Sequence, residues 1–143
     1  MSSDTTADVR EAEVAAIEGV VGTFFAAFTS GPECAARLEA LREVLLPEAV
    51  VVRTCGGEPL AYDVDGFIAP RRELLTGGRL VDFREWPLSG RTDVFGDIAQ
   101  WFGGYAKVGV QDGRPFTGGG MKTIQLVRTS LGWRISAAAW DDE

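Results

Sequence analysis

Ile98-Ala99-Gln100-Trp101-Phe102-Gly103-Gly104-Tyr105-Ala106-Lys107-Val108 decides the fold. Aromatic and small apolar residues occupy both phases of its alternation, so the segment reads as a strand that is apolar on both faces. A sheet built of such strands needs cover on both sides. Turn signals at Phe95-Gly96-Asp97, Asp112-Gly113 and Ser130-Leu131-Gly132 set it among long strands over about 80 to 93, 98 to 109, 115 to 129 and 133 to 140. Connections that short between strands that long predict an antiparallel meander.

Upstream the period changes. From Val14 the residues Ile17, Val21, Phe24, Phe25 and Phe28 fall at steps of three and four, predicting a long amphipathic helix that stops at Ser30-Gly31-Pro32. Cys34, Leu38, Leu41 and Leu45 share one face of a shorter second helix, which Pro47 closes because proline disfavours helical geometry in the residue before it. The β-branched run from Ala49 to Thr54 reads as a first strand, ended by Cys55-Gly56-Gly57. A third helix is predicted over Val64 to Thr76, capped by Asp63 or Asp65, with Val64, Phe67, Ile68, Leu74 and Leu75 inside and Gly77-Gly78 as a left-handed stop. The fold class is α+β: three N-terminal helices packed on a mostly antiparallel sheet. Helices can cover one sheet face, and a second copy is expected on the other, giving a homodimer through the sheet.

Size and composition fit this architecture. A chain of 143 residues is read as one domain, 1–143, with residues 1–8 flexible, and it is long enough to bury about two thirds of its unfolded surface. The longest apolar stretch, Val20 to Phe28, is too short to cross a bilayer, and the N-terminus lacks the basic flank and apolar run of a secretory signal. A cytoplasmic location is expected, with Cys34 and Cys55 as free thiols. The net charge of −7 argues against nucleic-acid and anionic-membrane partners, since the only local basic pair is Arg71-Arg72.

The order of helical hairpin, short strand, helix and long strands resembles the nuclear transport factor 2-like superfamily, which includes SnoaL-like polyketide cyclases and ketosteroid isomerases. The resemblance covers about residues 9 to 140. Its marks are Leu46-Pro47-Glu48-Ala49-Val50-Val51, Phe95-Gly96-Asp97-Ile98-Ala99, and Ile124-Gln125-Leu126-Val127-Arg128-Thr129 leading through Gly132-Trp133-Arg134-Ile135. It implies a strongly curved sheet wrapped around the helices into a cone, with an apolar cavity that binds a small molecule. Fold does not imply function, and the branch is one without an assigned activity.

Position by position, the chain lacks the residues that the family's known chemistries use. The isomerase mechanism needs a carboxylate base at the end of the first strand, where this chain has Val52-Arg53-Thr54. It needs a tyrosine on the inner face of the first helix, where Phe24 and Phe28 stand, and an aspartate early in the strand from 115 to 129, where no acid occurs between Phe116 and Thr129. The chain has no histidine, which removes the family's dehydratase chemistry and ordinary serine or cysteine nucleophile systems. Two isolated cysteines do not make a metal site, so no metal and no cofactor are predicted. Gly118-Gly119-Gly120 lies within a strand pattern and reads as a bulge or close backbone approach, not a phosphate loop.

The sequence leaves open whether the chain is an enzyme. For a SnoaL-like cyclase or hydrolase the acids available by position are Asp65 and Asp82, with Glu85 beside them; their simpler roles are a helix cap for Asp65 and solvated outward positions for Asp82 and Glu85. Trp86, Trp101, Tyr105, Trp133 and Trp140 pack as sheet core or dimer contacts, or form a stacking platform for a flat ligand. The expected ligand is a small apolar or aromatic molecule contacted by Phe24, Phe28, Arg53, Trp101 and Gln125. Arg53, Arg84, Gln125 and Arg128 have two possible strand phases, and the inward one would favour an anionic or carbonyl-bearing ligand. The alternative to a ligand-binding role is a dimerising or partner-binding module without catalysis.

Overall fold

The computed structural model describes residues 3–143. Helix α1 spans Ser3–Ala26, α2 Cys34–Val44 and α3 Val64–Thr76; the strands are β1 Leu45–Arg53, β2 Leu60–Tyr62, β3 Leu80–Phe95, β4 Ile98–Gln111, β5 Arg114–Thr129 and β6 Gly132–Asp142. Residues 1 and 2 of the segment expected to be flexible lie outside the described residues, and α1 already begins at Ser3. No helix among the described residues is long and apolar enough to cross a membrane.

The sheet runs in the order β2-β1-β6-β5-β4-β3 and is antiparallel except where β1 lies parallel to β6. Helices cover its concave face. The α1 stripe works as its spacing predicts: Ile17, Val21, Phe24, Phe25 and Phe28 are all buried, against Leu38 and Leu41 of α2, Phe67 and Ile68 of α3, and Ile124, Leu126 and Ile135 of the sheet. Phe24, Phe28 and Phe67 meet edge-on or stacked at centroid separations of 5.2 to 6.4 Å, a geometry that adds to their burial.

Two differences from the sequence reading have local causes, and at α3 the structure selects among the residues the sequence offered. Pro47 does not close α2: the chain leaves the helix at Leu45 (φ −93°, ψ 139°), because Leu45 already pairs with Ile135 of β6. Pro47 then sits in β1 at an irregularity between Leu45 and Val50, where no ladder N–H is needed. The short strand β2, pairing with Val51 to Arg53, was not anticipated, since Leu60-Ala61-Tyr62 is too brief to show a period. At α3, Asp63 is the N-cap, accepting from the Gly66 N–H at 2.7 Å, and the left-handed residue is Gly78 (φ 87°) while Gly77 stays helical.

The bulges in β3 matter most for function. Val81 pairs with Val110 and Arg84 with Val108, so Asp82 and Phe83 together face Gly109. Asp82 absorbs the extra residue in a left-handed conformation (φ 52°). Inward phase thereby passes from Leu80 to Phe83 and Glu85. The bulge is tied to the α1–α2 loop by Ser30, whose N–H donates to the Phe83 carbonyl (3.0 Å) while its hydroxyl accepts from the Phe83 N–H (2.8 Å).

Candidate functional site

One end of the cone is packed shut and the other is open. Ile17, Phe25, Ile124, Leu126 and Ile135 fill the closed part. There Gly90 and Gly103 leave room for the Trp101 ring: a Cβ on Gly103 would lie 2.6 Å from the Gly90 Cα and 2.7 Å from the ring. At the open end α3 and the far halves of β3 to β6 enclose a cavity of about 330 Å³, walled by Phe28, Phe67, Phe83, Phe116 and Trp140. Arg53, Arg71, Glu85, Tyr105, Lys107, Lys122 and Asp142 project polar groups into it.

Two ion pairs line the cavity floor. Lys122 follows the inward phase of Ile124 and Leu126 on β5, so its chain is buried with them; only 4% of the side chain is exposed. Its Nζ donates to Glu85 Oε1 at 2.8 Å. Five rings surround it: Phe28 and Tyr105 at 4.6 Å, Phe25 at 5.0 Å, Phe24 at 5.2 Å and Trp140 at 5.4 Å from their centroids. Burial pulls the ammonium below the ordinary lysine range, and Glu85 acts against that shift. Beside it, Tyr105 donates its hydroxyl proton to Asp142, which also accepts from Lys107 Nζ at 3.0 Å. Burial pushes the Asp142 carboxyl above the usual range, while a hydrogen bond from Cys55 and the nearby Arg53 draw it down.

Arg71 is placed differently. One helical turn after Phe67, its guanidinium lies 3.9 Å from that ring's centroid and 5.3 Å from those of Tyr62 and Trp140. One N–H donates to the Phe67 carbonyl at 3.1 Å. Among the described residues it forms no ion pair, and neither does Arg53.

Of the residues the sequence suggested for ligand contact, Phe28 and Arg53 line the cavity. Phe24 lies behind it, under Lys122. Trp101 is buried in the closed part against Phe25, and Gln125 points from the opposite sheet face, opposite Gln100 in a separate groove of about 370 Å³. The phase of β5 explains Gln125: Ile124 and Leu126 take the inward positions. Neither suggested acid enters the cavity. Asp65 is exposed and pairs with Arg42 at 2.7 Å, and Asp82 borders a surface trough with Thr29, Gly31 and Arg84. Arg84 points away from the cavity and stacks on Trp86, and Arg128 joins Asp97 and Glu13 in a clasp that also receives the Trp133 indole N–H at 2.7 Å.

The residues that sequence reasoning missed are Lys122, Asp142, Lys107 and Arg71, and it placed Glu85 outward. Lys122 had a legible signal, a lysine in phase with Ile124 and Leu126. Arg71 had another, four residues after Phe67 on a helix. Glu85 had none, because its inward phase depends on the bulge at Asp82.

No protein-family model matches the chain, and no curated protein matches it. Solved structures do match along nearly the whole length. An NTF-2-like protein of unknown function from Silicibacter pomeroyi DSS-3 is 22% identical, with 94% of this chain and 98% of that one covered and a TM-score of 0.65. An NTF2-like protein with a cystatin-like fold from Novosphingobium aromaticivorans is 16% identical over 99% and 90%, TM-score 0.73. A LinA-type3 hexachlorocyclohexane dehydrochlorinase from Novosphingobium barchaimii LL02 is 16% identical over 94% and 88%, TM-score 0.75. At such identities the likeness is one of fold. With its three helices seated in a curved, mostly antiparallel sheet, the chain has the cone fold of the nuclear transport factor 2-like superfamily.

Proposed function

We propose that this protein binds a small, flat, mostly apolar molecule in the open end of the cone, and that two copies pair through the outer sheet faces. The observation that carries the first part is the cavity itself: aromatic walls with a few converging polar groups, in a volume at the small end of ligand sites. Thermal-shift screening against aromatic, steroid and polyketide-like compounds tests it. A ligand present at a hundred times its Kd stabilises by about 2.7 kcal/mol, a rise of about 5–10 °C for a chain this size. No shift with any member of the panel refutes the reading.

The pairing is supported by the outer face, where Val50, Ile98, Phe102 and Met121 are large apolar residues exposed to solvent. Ile98 and Phe102 lie on β4 and Met121 on the adjoining β5, while Val50 lies on β1 across β6, where it faces Ala137. Sedimentation velocity at several concentrations tests it, and a monomer throughout refutes it. A cytoplasmic site for the protein accords with Cys34 and Cys55 being free thiols.

An enzymatic reading has one observation in its favour, the buried hydroxyl–carboxylate contact of Tyr105 and Asp142 next to two lysines. It would make Asp142, not Asp65 or Asp82, the acid of any cyclase- or hydrolase-like step. Turnover that survives Asp142→Asn refutes that role.

A further inference from the structure

We propose that the ligand of this cavity is a monocarboxylate, its apolar body against Phe28, Phe67 and Phe83 and its carboxylate held by Arg71 and Arg53. The inference rests on the cavity being a ligand site. Its starting point is that Arg71 sits in the cavity wall without the carboxylate partner that six of the other eleven arginines have. Arg37, Arg42, Arg72, Arg79, Arg91 and Arg128 each hold a side-chain carboxylate. Arg71, half-buried inside the cavity, holds none among the described residues, although leaving a guanidinium away from water without a partner is costly. Its face is taken by Phe67, one N–H by that residue's carbonyl, and the Tyr62 hydroxyl stands beside it as a further acceptor, so only the rest of its planar fork is left for a ligand.

The deeper cations do not compete for the same anion. Lys122 is matched by Glu85 and Lys107 by Asp142, which leaves Arg53 and Arg71 as the cavity's unmatched charges. Burial is the main influence against the Arg71 charge and Arg53 adds to it, while Tyr62 and Glu85 act the other way; an anion between the two guanidiniums would favour both charges. A planar carboxylate fits a guanidinium fork through two parallel hydrogen bonds. A phosphate dianion suits the site less, because Glu85 and Asp142 share the cavity and the whole chain carries a charge of −7.

The test compares acids with amides of the same shape by isothermal titration calorimetry: benzoate, cyclohexanecarboxylate and 1-naphthoate against benzamide, cyclohexanecarboxamide and 1-naphthamide. At least one acid is expected to bind about 10- to 100-fold tighter than its amide, the usual worth of hydrogen bonds to a charged group. Arg71→Gln should remove that advantage and leave amide affinity within about twofold, and Arg53→Gln should reduce it in part. Both variants are checked by urea unfolding, so a loss through misfolding is visible, and Arg53→Gln at the exposed rim keeps the test open if Arg71→Gln does not fold. Amides binding as tightly as their acids, or Arg71→Gln weakening both alike, overturns the carboxylate assignment and leaves the apolar-cavity reading standing. Amides binding where acids do not has the same effect. If neither series binds, both readings fall together.

Discussion

Replacing Lys122 with methionine isolates the least ordinary feature of this interior, an ammonium buried in an otherwise apolar core. Methionine has a similar length and no charge, so packing is nearly kept and the change is electrostatic. What it leaves is Glu85, 12% exposed, without the partner that stood 2.8 Å away. Breaking a buried pair by removing one member costs about 3–5 kcal/mol, and since the cavity brings some solvent to Glu85 the lower end, about 3 kcal/mol, is expected. Glu85→Gln leaves the cation instead, and the cation keeps five rings within 5.4 Å. Ring contacts of this kind offset up to about 2 kcal/mol, so this variant should lose less, about 1–2 kcal/mol. The double change Lys122→Met with Glu85→Leu removes both charges and should return to within about 1 kcal/mol of the parent. Urea unfolding followed by tryptophan fluorescence measures all three, and the cycle should show coupling of at least about 1 kcal/mol. Two single variants each within about 0.5 kcal/mol of the parent, with additive effects, would refute the view that this pair is held by burial.

Further outcomes follow from other parts of the fold. Gly103→Ala should destabilise by about 1–3 kcal/mol by thermal unfolding, because its Cβ would lie 2.7 Å from the Trp101 ring, and adding Trp101→Leu should recover part of the loss. Asp63→Ala should cost about 1 kcal/mol through loss of the α3 cap, whereas Asp65→Ala, which removes an exposed ion pair, should stay within about 0.5 kcal/mol; equal losses would contradict the cap assignment. Phe102→Glu should leave the fold intact and yield a monomer in sedimentation, given how exposed that ring is on the outer face. Carboxyl NMR should find Asp93 and Asp112 titrating below the usual range, held down by Arg91 and Arg79, and Asp142 above it. The signs for stability are opposite. Asp93 and Asp112 stabilise above the ordinary carboxylate value and lose that contribution as pH falls to their lowered values; native Asp142 keeps a proton the unfolded chain releases, so its contribution declines as pH rises from the ordinary value through the raised one.

Much of the fold is legible in the chain because it follows from periodicity. The α1 stripe, the face of α3 and the turns at Gly96 and Gly113 specify local structure directly, and α2, α3 and the long strands come out within a few residues of their observed ends, whereas α1 starts at Ser3, well before the stripe that begins at Val14. The unanticipated parts depend on distant partners. β1 starts at Leu45 because β6, far along the chain, offers Ile135 as a partner, and β2 exists only as an addition to β1. No local pattern encodes either.

The candidate site was harder to read because its polar groups are set by strand phase. On β5 the phase is regular, and Ile124 with Leu126 implies both that Lys122 points inward and that Gln125 does not. On β3 it is not regular. Strict alternation from buried Leu80 would carry Asp82 and Arg84 inward, and instead the left-handed Asp82 resets the phase so that Phe83 and Glu85 turn in and Arg84 turns out. One bulge therefore exchanges an inward arginine for an inward glutamate. With the arginine inside, Lys122 would face another cation; with Glu85 inside, the pair is matched, and the unmatched positive charge moves to Arg71 and Arg53 beside the aromatic wall. The bulge is in turn held by Ser30, through two hydrogen bonds to Phe83. Changing Ser30 to alanine removes the hydroxyl that accepts from the Phe83 N–H and keeps the backbone bond, so it should weaken the preference for acid over amide in titration calorimetry through β3, without any contact between residue 30 and the cavity.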